Sequence, residues 1–251
     1  MAISDAARRN HRELFPDDVS TLARTDPELI EVFDNFAFDQ VMAEGGLDAP
    51  ERLMVQLASL IACQALSEYR VMLGAALTAG VTPVQAKEVL YQAVPYVGMA
   101  KVFDFLHATN DVLTEHGVEL PLPGQSTTTP QTRAERGRAV QEQIVGADTV
   151  KALYANAPDD QQHIQRFLTE NCFGDHLTRD GLELATRELV TFAMLISLGG
   201  CEPQVKGHIA GNLNVGNTRA DLIAVATQLL PFIGYPRTLN ALRVLDEATL
   251  G

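Results

Sequence analysis

Hydrophobic and polar positions along the chain follow helical spacing, with no sustained alternation and no Asn-Gly hairpin that would mark strands. Residues 50–66 and 184–198 are almost continuously apolar, as expected of buried helices. Asp26 is placed to cap a helix reaching about Glu44, with Pro27 at its first position. Further helices are expected near 132–145, 148–156 and 159–172. The pattern also repeats. Residues 75–98, AALTAGVTPVQAKEVLYQAVPYVG, lie over residues 211–234, GNLNVGNTRADLIAVATQLLPFIG, without a gap. Leu77 falls on Leu213, Gly80 on Gly216, Thr82 on Thr218, Gln92 on Gln228, Pro95 on Pro231 and Gly98 on Gly234, each 136 residues apart. Upstream the spacing is 135: Phe38 falls on Phe173, and Gly46 and Leu47 on Gly181 and Leu182. Gly80 and Gly216 suit the left-handed position after a helix, and Thr82 and Thr218 suit the N-cap of the next one. The proline of each Gln-x-x-Pro-x-x-Gly run is expected to end or kink its helix.

These elements predict an all-α chain of two tandem helical domains. Its 251 residues are natural for two units of about 125 each. The first covers residues 1–119 and the second 133–251, joined by the linker LPLPGQSTTTPQT at 120–132, whose composition does not pack a core. The net charge of −13 argues against nucleic acid or an anionic membrane as partner. An anionic ligand must therefore find local positive charge against the global field. The three cysteines, Cys63, Cys172 and Cys201, are odd in number and not at Cys-x-x-Cys spacing, so no disulfide framework is expected. The N-terminal residues show no apolar signal region, and the longest apolar runs are too short to span a bilayer. A cytoplasmic protein is the expectation.

The common catalytic templates are absent: no His-Glu-x-x-His, phosphate-binding loop, dinucleotide fingerprint or nucleophile elbow occurs. Candidate chemistry concentrates in residues 187–218, RELVTFAMLISLGGCEPQVKGHIAGNLNVGNT. Arg187-Glu188-Leu189 opens an apolar helix closing at Leu198-Gly199; a polar turn and a helix bearing His208 follow, then Asn214, Gly216 and Thr218. Gln228, Pro231, Gly234 and YPRTLNALRV (235–244) come next, with ERGRAVQEQIVG (135–146) and FLTENCFGD (167–175) upstream. In these motifs residues 133–247 resemble the carboxymuconolactone decarboxylase family, which includes the alkylhydroperoxidase D-like proteins. Residues 25–110 resemble it more distantly.

The resemblance implies an alkylhydroperoxidase D-like helical fold and a cofactor-free, metal-free site. Peroxidase members carry cysteines seven and four residues before the histidine; this chain has Cys201 and Gln204 there. The decarboxylase subgroup lacks the pair and keeps the histidine. The implied function is loss of carbon dioxide from a carboxylated lactone in aromatic degradation. His208 is then the candidate acid and Glu188 its orienting partner, while Lys206 and Arg187 form an anion clamp and Glu170 and Asp175 lie in the pocket. Two alternatives stand beside it. Cys201, in the turn before a helix N-terminus that favours thiolates, could serve a thiol-dependent peroxidase with peroxiredoxin activity. The tandem domains could instead be a non-catalytic binding or assembly protein. Taken singly, each residue also has a structural reading: His208 as a surface histidine, Glu188 as a first-turn helix carboxylate, Lys206 and Arg187 as surface charges. In the first copy the His208 position is Met72 and the Glu188 position Arg52, so that copy is expected to be mainly structural. The resemblance further implies a small anionic organic substrate and self-association, with six domains per ring giving a homotrimer.

Overall fold

In a computed structural model, which describes residues 2–16 and 21–250, every regular element is a helix. The first copy comprises α1 (Asp5–Leu14), α2 (Leu22–Thr25), α3 (Pro27–Asn35), α4 (Val41–Ala43), α5 (Ala49–Ala62), α6 (Leu66–Thr78), α7 (Pro83–Val97) and α8 (Met99–Glu115). The second comprises α9 (Arg133–Val145), α10 (Ala147–Asn156), α11 (Gln162–Phe167), α12 (Leu184–Leu198), α13 (Glu202–Asn214) and α14 (Arg219–Thr249). Wide π-helical turns occupy Phe36–Gln40 and Leu168–Leu177, at corresponding places in the two copies.

Local chemistry accounts for the repeated hinge. Gly80 and Gly216 adopt φ 97° and 101° just beyond α6 and α13. Thr82 and Thr218 then cap α7 and α14 with reciprocal capping boxes, closed by Gln85 and Asp221. Three expectations are corrected. Asp26 does not cap α3 through its side chain; its carboxylate accepts instead from the Thr25 hydroxyl at 2.6 Å. The helix expected from Pro27 to about Glu44 is interrupted by the π turn at Phe36–Gln40. The prolines do not stop their helices: Pro95 and Pro231 stay in helical conformation, and the chain breaks three residues later at Gly98 (φ 92°, ψ 139°) and Gly234 (φ 74°, ψ 167°). A proline near a helix end removes one hydrogen bond, while the reversal of φ needs a glycine. The N-terminal helix α1, unforeseen above, is capped by Ser4 and buries Ala7 and Leu14.

The copies do not form separate cores. Helices α5 and α12 cross at the centre, where the Ser59 and Ser197 hydroxyls meet at 2.7 Å. Leu53, Leu57 and Ile61 of α5 share one apolar cluster with Phe192 and Met194 of α12 and Leu229 of α14. Each copy also sends its hinge helix onto the other: α7 packs on α12, and α14 on α5. Polar groups follow the same exchange. Gln92 of α7 donates to the Arg187 carbonyl (2.7 Å) and Thr191 (2.9 Å), and Gln228 of α14 donates to the Val41 carbonyl (2.9 Å). The 120–132 segment is tied down by hydroxyl bonds from Thr127 to the Thr178 carbonyl and from Thr128 to the Gly174 carbonyl. No described helix is long and apolar enough to cross a membrane.

Candidate active site

Glu188 lies one residue beyond Arg187 on α12, and the roughly 100° turn between successive helical positions sends the two side chains different ways. The Glu188 carboxylate is fully buried and points at α13, where its Oε2 meets His208 Nδ1 at 2.9 Å. The imidazole is partly accessible. With Nδ1 committed to the carboxylate, Nε2 is the ring atom available to a bound molecule. Asn212, one turn beyond His208, donates to the backbone carbonyls of both His208 (2.7 Å) and Glu188 (3.1 Å), so the two helices bearing the dyad are bonded together beneath it. Asn217 holds Asn212 in turn, at 2.8 Å. Asn214, noted in the sequence motif, donates to the Ile144 carbonyl and ties α13 to α9.

The close approach of α12 to α13 depends on Gly211. A Cβ there would stand 2.8 Å from both Glu188 Oε2 and Ile144 Cγ2. The other wall comes from the first copy: the Tyr96 ring of α7 meets the His208 ring edge-on, centroids 5.6 Å apart. The Tyr96 hydroxyl is buried beside Cys172 and Thr191, and burial, with Cys172 and Glu188 nearby, holds it protonated far into the alkaline range. Glu188 Oε1 is buried without a hydrogen-bond partner among the described residues, while the Tyr96 hydroxyl lies within reach of the Cys172 thiol and the Thr191 hydroxyl. Sequence reading missed Tyr96, Gly211 and Asn212. A glycine inside a helical pattern was the one available signal, since it costs about 1 kcal/mol against alanine unless something needs the space.

The remaining candidates do not converge on His208. Arg187 is buried, and its guanidinium is consumed by Glu88 (3.0 Å), Gln92 (2.9 Å) and the carbonyls of Arg179 and Asp180. The expectation of a surface charge or substrate clamp at Arg187 is therefore corrected: it is an internal tie between the copies. Lys206 is exposed and stands two residues before His208, a spacing that puts it on a different face of α13. Glu170 and Asp175, expected in the pocket, both bind the Arg133 guanidinium, at 3.2 Å and 2.8 Å. Cys201 occupies the N-cap of α13, yet its thiol donates to the Leu195 carbonyl. Burial and the neighbouring Glu202 raise its pKa, reversing the expected thiolate stabilisation. Burial likewise pushes Cys172 up to about 12 and raises Cys63. All three cysteines are free.

The first copy has no counterpart of the dyad. By the same 136- and 135-residue offsets, Met72, Arg52 and Ala37 of the first copy correspond to His208, Glu188 and Cys172 of the second, and Phe232 of the second copy corresponds to Tyr96 of the first. Met72, Arg52 and Phe232 line a narrow apolar crevice there.

Comparison with known proteins agrees with this architecture. The model of the carboxymuconolactone decarboxylase family matches twice, at residues 27–111 and 162–247. A 4-carboxymuconolactone decarboxylase of Acinetobacter baylyi is 28% identical over 117 residues, which span 47% of this chain and 87% of that protein. A crystal structure from Burkholderia xenovorans, provisionally described as a gamma-carboxymuconolactone decarboxylase subunit, superposes with a TM-score of 0.57 at 23% identity, covering 97% of this chain and 96% of that one.

Proposed function

The chain belongs to the carboxymuconolactone decarboxylase family, and on that premise we propose that it is a carbon–carbon lyase that removes carbon dioxide from a carboxylated, unsaturated lactone, with His208 delivering the proton. The observation carrying this reading is the His208–Glu188 pair: a buried carboxylate engages Nδ1 of a partly accessible imidazole and leaves Nε2 as the nitrogen for a bound molecule. As the carbon–carbon bond to the carboxylate breaks, its electron pair passes into the conjugated lactone carbonyl as an enolate. Protonation of carbon by the imidazolium Nε2–H collapses that enolate, and solvent restores the proton. Glu188 stabilises the charged ring and holds its orientation, a task an Nδ1-bound carboxylate performs without itself touching substrate. Tyr96 closes the opposite side of the ring with an aromatic edge.

The test is spectrophotometric turnover of freshly generated 4-carboxymuconolactone. Wild type should consume it, and His208→Ala should be slower by about 10²–10⁴-fold, the usual contribution of a positioned acid–base group. Cys201→Ser should leave the rate unchanged. Equal rates for wild type and His208→Ala, or no turnover by wild type, would overturn the assignment. The raised thiol pKa values and Gln204 in place of a resolving cysteine give the peroxidase alternative no comparable support.

A further inference from the structure

A concave site lies apart from the dyad. Between α7, α8 and the 120–125 segment is a cavity of about 520 Å³ whose lining includes neither His208 nor Glu188. That volume lies within the range of small-molecule sites. Its floor carries Lys87 and Tyr91 from α7 and Asn110 from α8, Arg179 forms one side, and Leu120 and Leu122 belong to the roof. The roof is preformed: the Gln125 carbonyl accepts from the Asp180 amide at 2.9 Å, beside the Thr127 and Thr128 hydroxyl bonds.

The electrostatics are unbalanced. Lys87 is 7% exposed, and its ammonium donates to the neutral Asn110 Oδ1 and lies 5.8 Å from the centre of the Tyr91 ring. It forms no ion pair among the described residues. The carboxylate beside it, Glu88, is already divided between two guanidinium groups, Arg179 (2.9–3.1 Å) and Arg187 (3.0 Å). Glu88 thus serves two guanidinium groups, and among the described residues no carboxylate pairs with the Lys87 ammonium, in a chain whose net charge is −13. Burying an ammonium without an anion is costly, and the strain shows in Lys87, whose pKa burial lowers. An ammonium has three donors, and one is used on Asn110.

We propose that this cavity binds a small organic carboxylate, its anionic end on Lys87 and Arg179 and its apolar body against the leucine and proline roof. The site is built from the first copy, the linker and Arg179, and stands independently of the reaction assigned to His208. It also supplies the local positive charge that an anionic ligand requires and that the dyad lacks.

Benzoate is a suitable probe, with benzamide as its neutral isostere, followed by isothermal titration calorimetry and thermal shift on the full chain. Benzoate should bind and raise the melting temperature, benzamide should do neither, and His208→Ala should bind benzoate as wild type does. Lys87→Met should weaken benzoate at least about tenfold, the loss expected when a charge-assisted hydrogen bond is removed. Leu122→Trp, which fills the cavity from the linker side and leaves the α7 residues unchanged, should do the same and serves where Lys87→Met fails to fold. Absence of benzoate binding, equal binding of benzamide, or binding lost in His208→Ala but kept in Lys87→Met and Leu122→Trp would overturn the proposal.

Discussion

At the scale of single residues, the dyad is held by the space that Gly211 leaves empty. Alanine in place of a helical glycine ordinarily stabilises by up to about 1 kcal/mol. Here the added methyl would contact Oε2, the same carboxylate oxygen that binds His208, as well as Ile144 on the opposite helix. Ile144 is fully buried and cannot yield much, so the carboxylate must. Gly211→Ala should therefore keep the helical content of wild type, lower turnover on the order of tenfold to a hundredfold, and shift the His208 Nδ1–H resonance in NMR. An unchanged resonance with unchanged turnover would show that the close contact is incidental. His208 and Glu188 were legible in the sequence because a motif places them 20 residues apart on successive helices. Arg187 was misread from the same triplet, since neighbours on a helix point to different partners and no pattern says which partner is Glu88, 99 residues away.

At the scale of elements, legibility followed locality. The Gly-x-Thr hinges were readable because a positive φ and an N-cap are decided within four residues. The π turns at Phe36–Gln40 and Leu168–Leu177 were not, because a widened turn reflects packing against neighbours rather than local preference. The breaks closing each Gln-x-x-Pro-x-x-Gly run fall within the run as expected, but the proline, the conspicuous signal, stays helical and the glycine three positions on bears the conformational demand. Gly234 sits at φ 74° and ψ 167°, a region almost confined to glycine. Gly234→Ala should cost about 1–3 kcal/mol in urea unfolding. Gly207→Ala is the control: that glycine lies inside α13 with open space around its missing Cβ, and the substitution should stabilise by up to about 1 kcal/mol. If the two variants moved the midpoint alike, the backbone argument would fail.

At the scale of the whole molecule, the repeat announced two domains, while the structure joins them through one core. What no reading of either copy could reveal is the exchange between them: Tyr96 of the first copy walls the histidine of the second, and Phe232 of the second lies over the crevice where Met72 replaces that histidine. The copy without a dyad thus still builds the site. Energetically the tie runs through Glu88, 1% exposed, which holds Arg179 and Arg187 of the other copy at once. Replacing one member of a buried charged set strands the others, at about 3–5 kcal/mol. Glu88→Gln would leave two guanidinium groups without their carboxylate and should cost at least that much. Because α5 and α12 share a core, the loss should not stay in the first copy. Hydrogen exchange should show amide protection falling by the same factor in α5 and α12, and calorimetry should show one transition at a lower temperature. A variant whose protection fell only in α5–α8, or whose melting split in two, would mean that the copies are separate folding units in contact. A uniform fall would mean that the second copy keeps the geometry of the His208–Glu188 pair only as part of the whole, which is a physical reason for the first copy to persist without a dyad of its own.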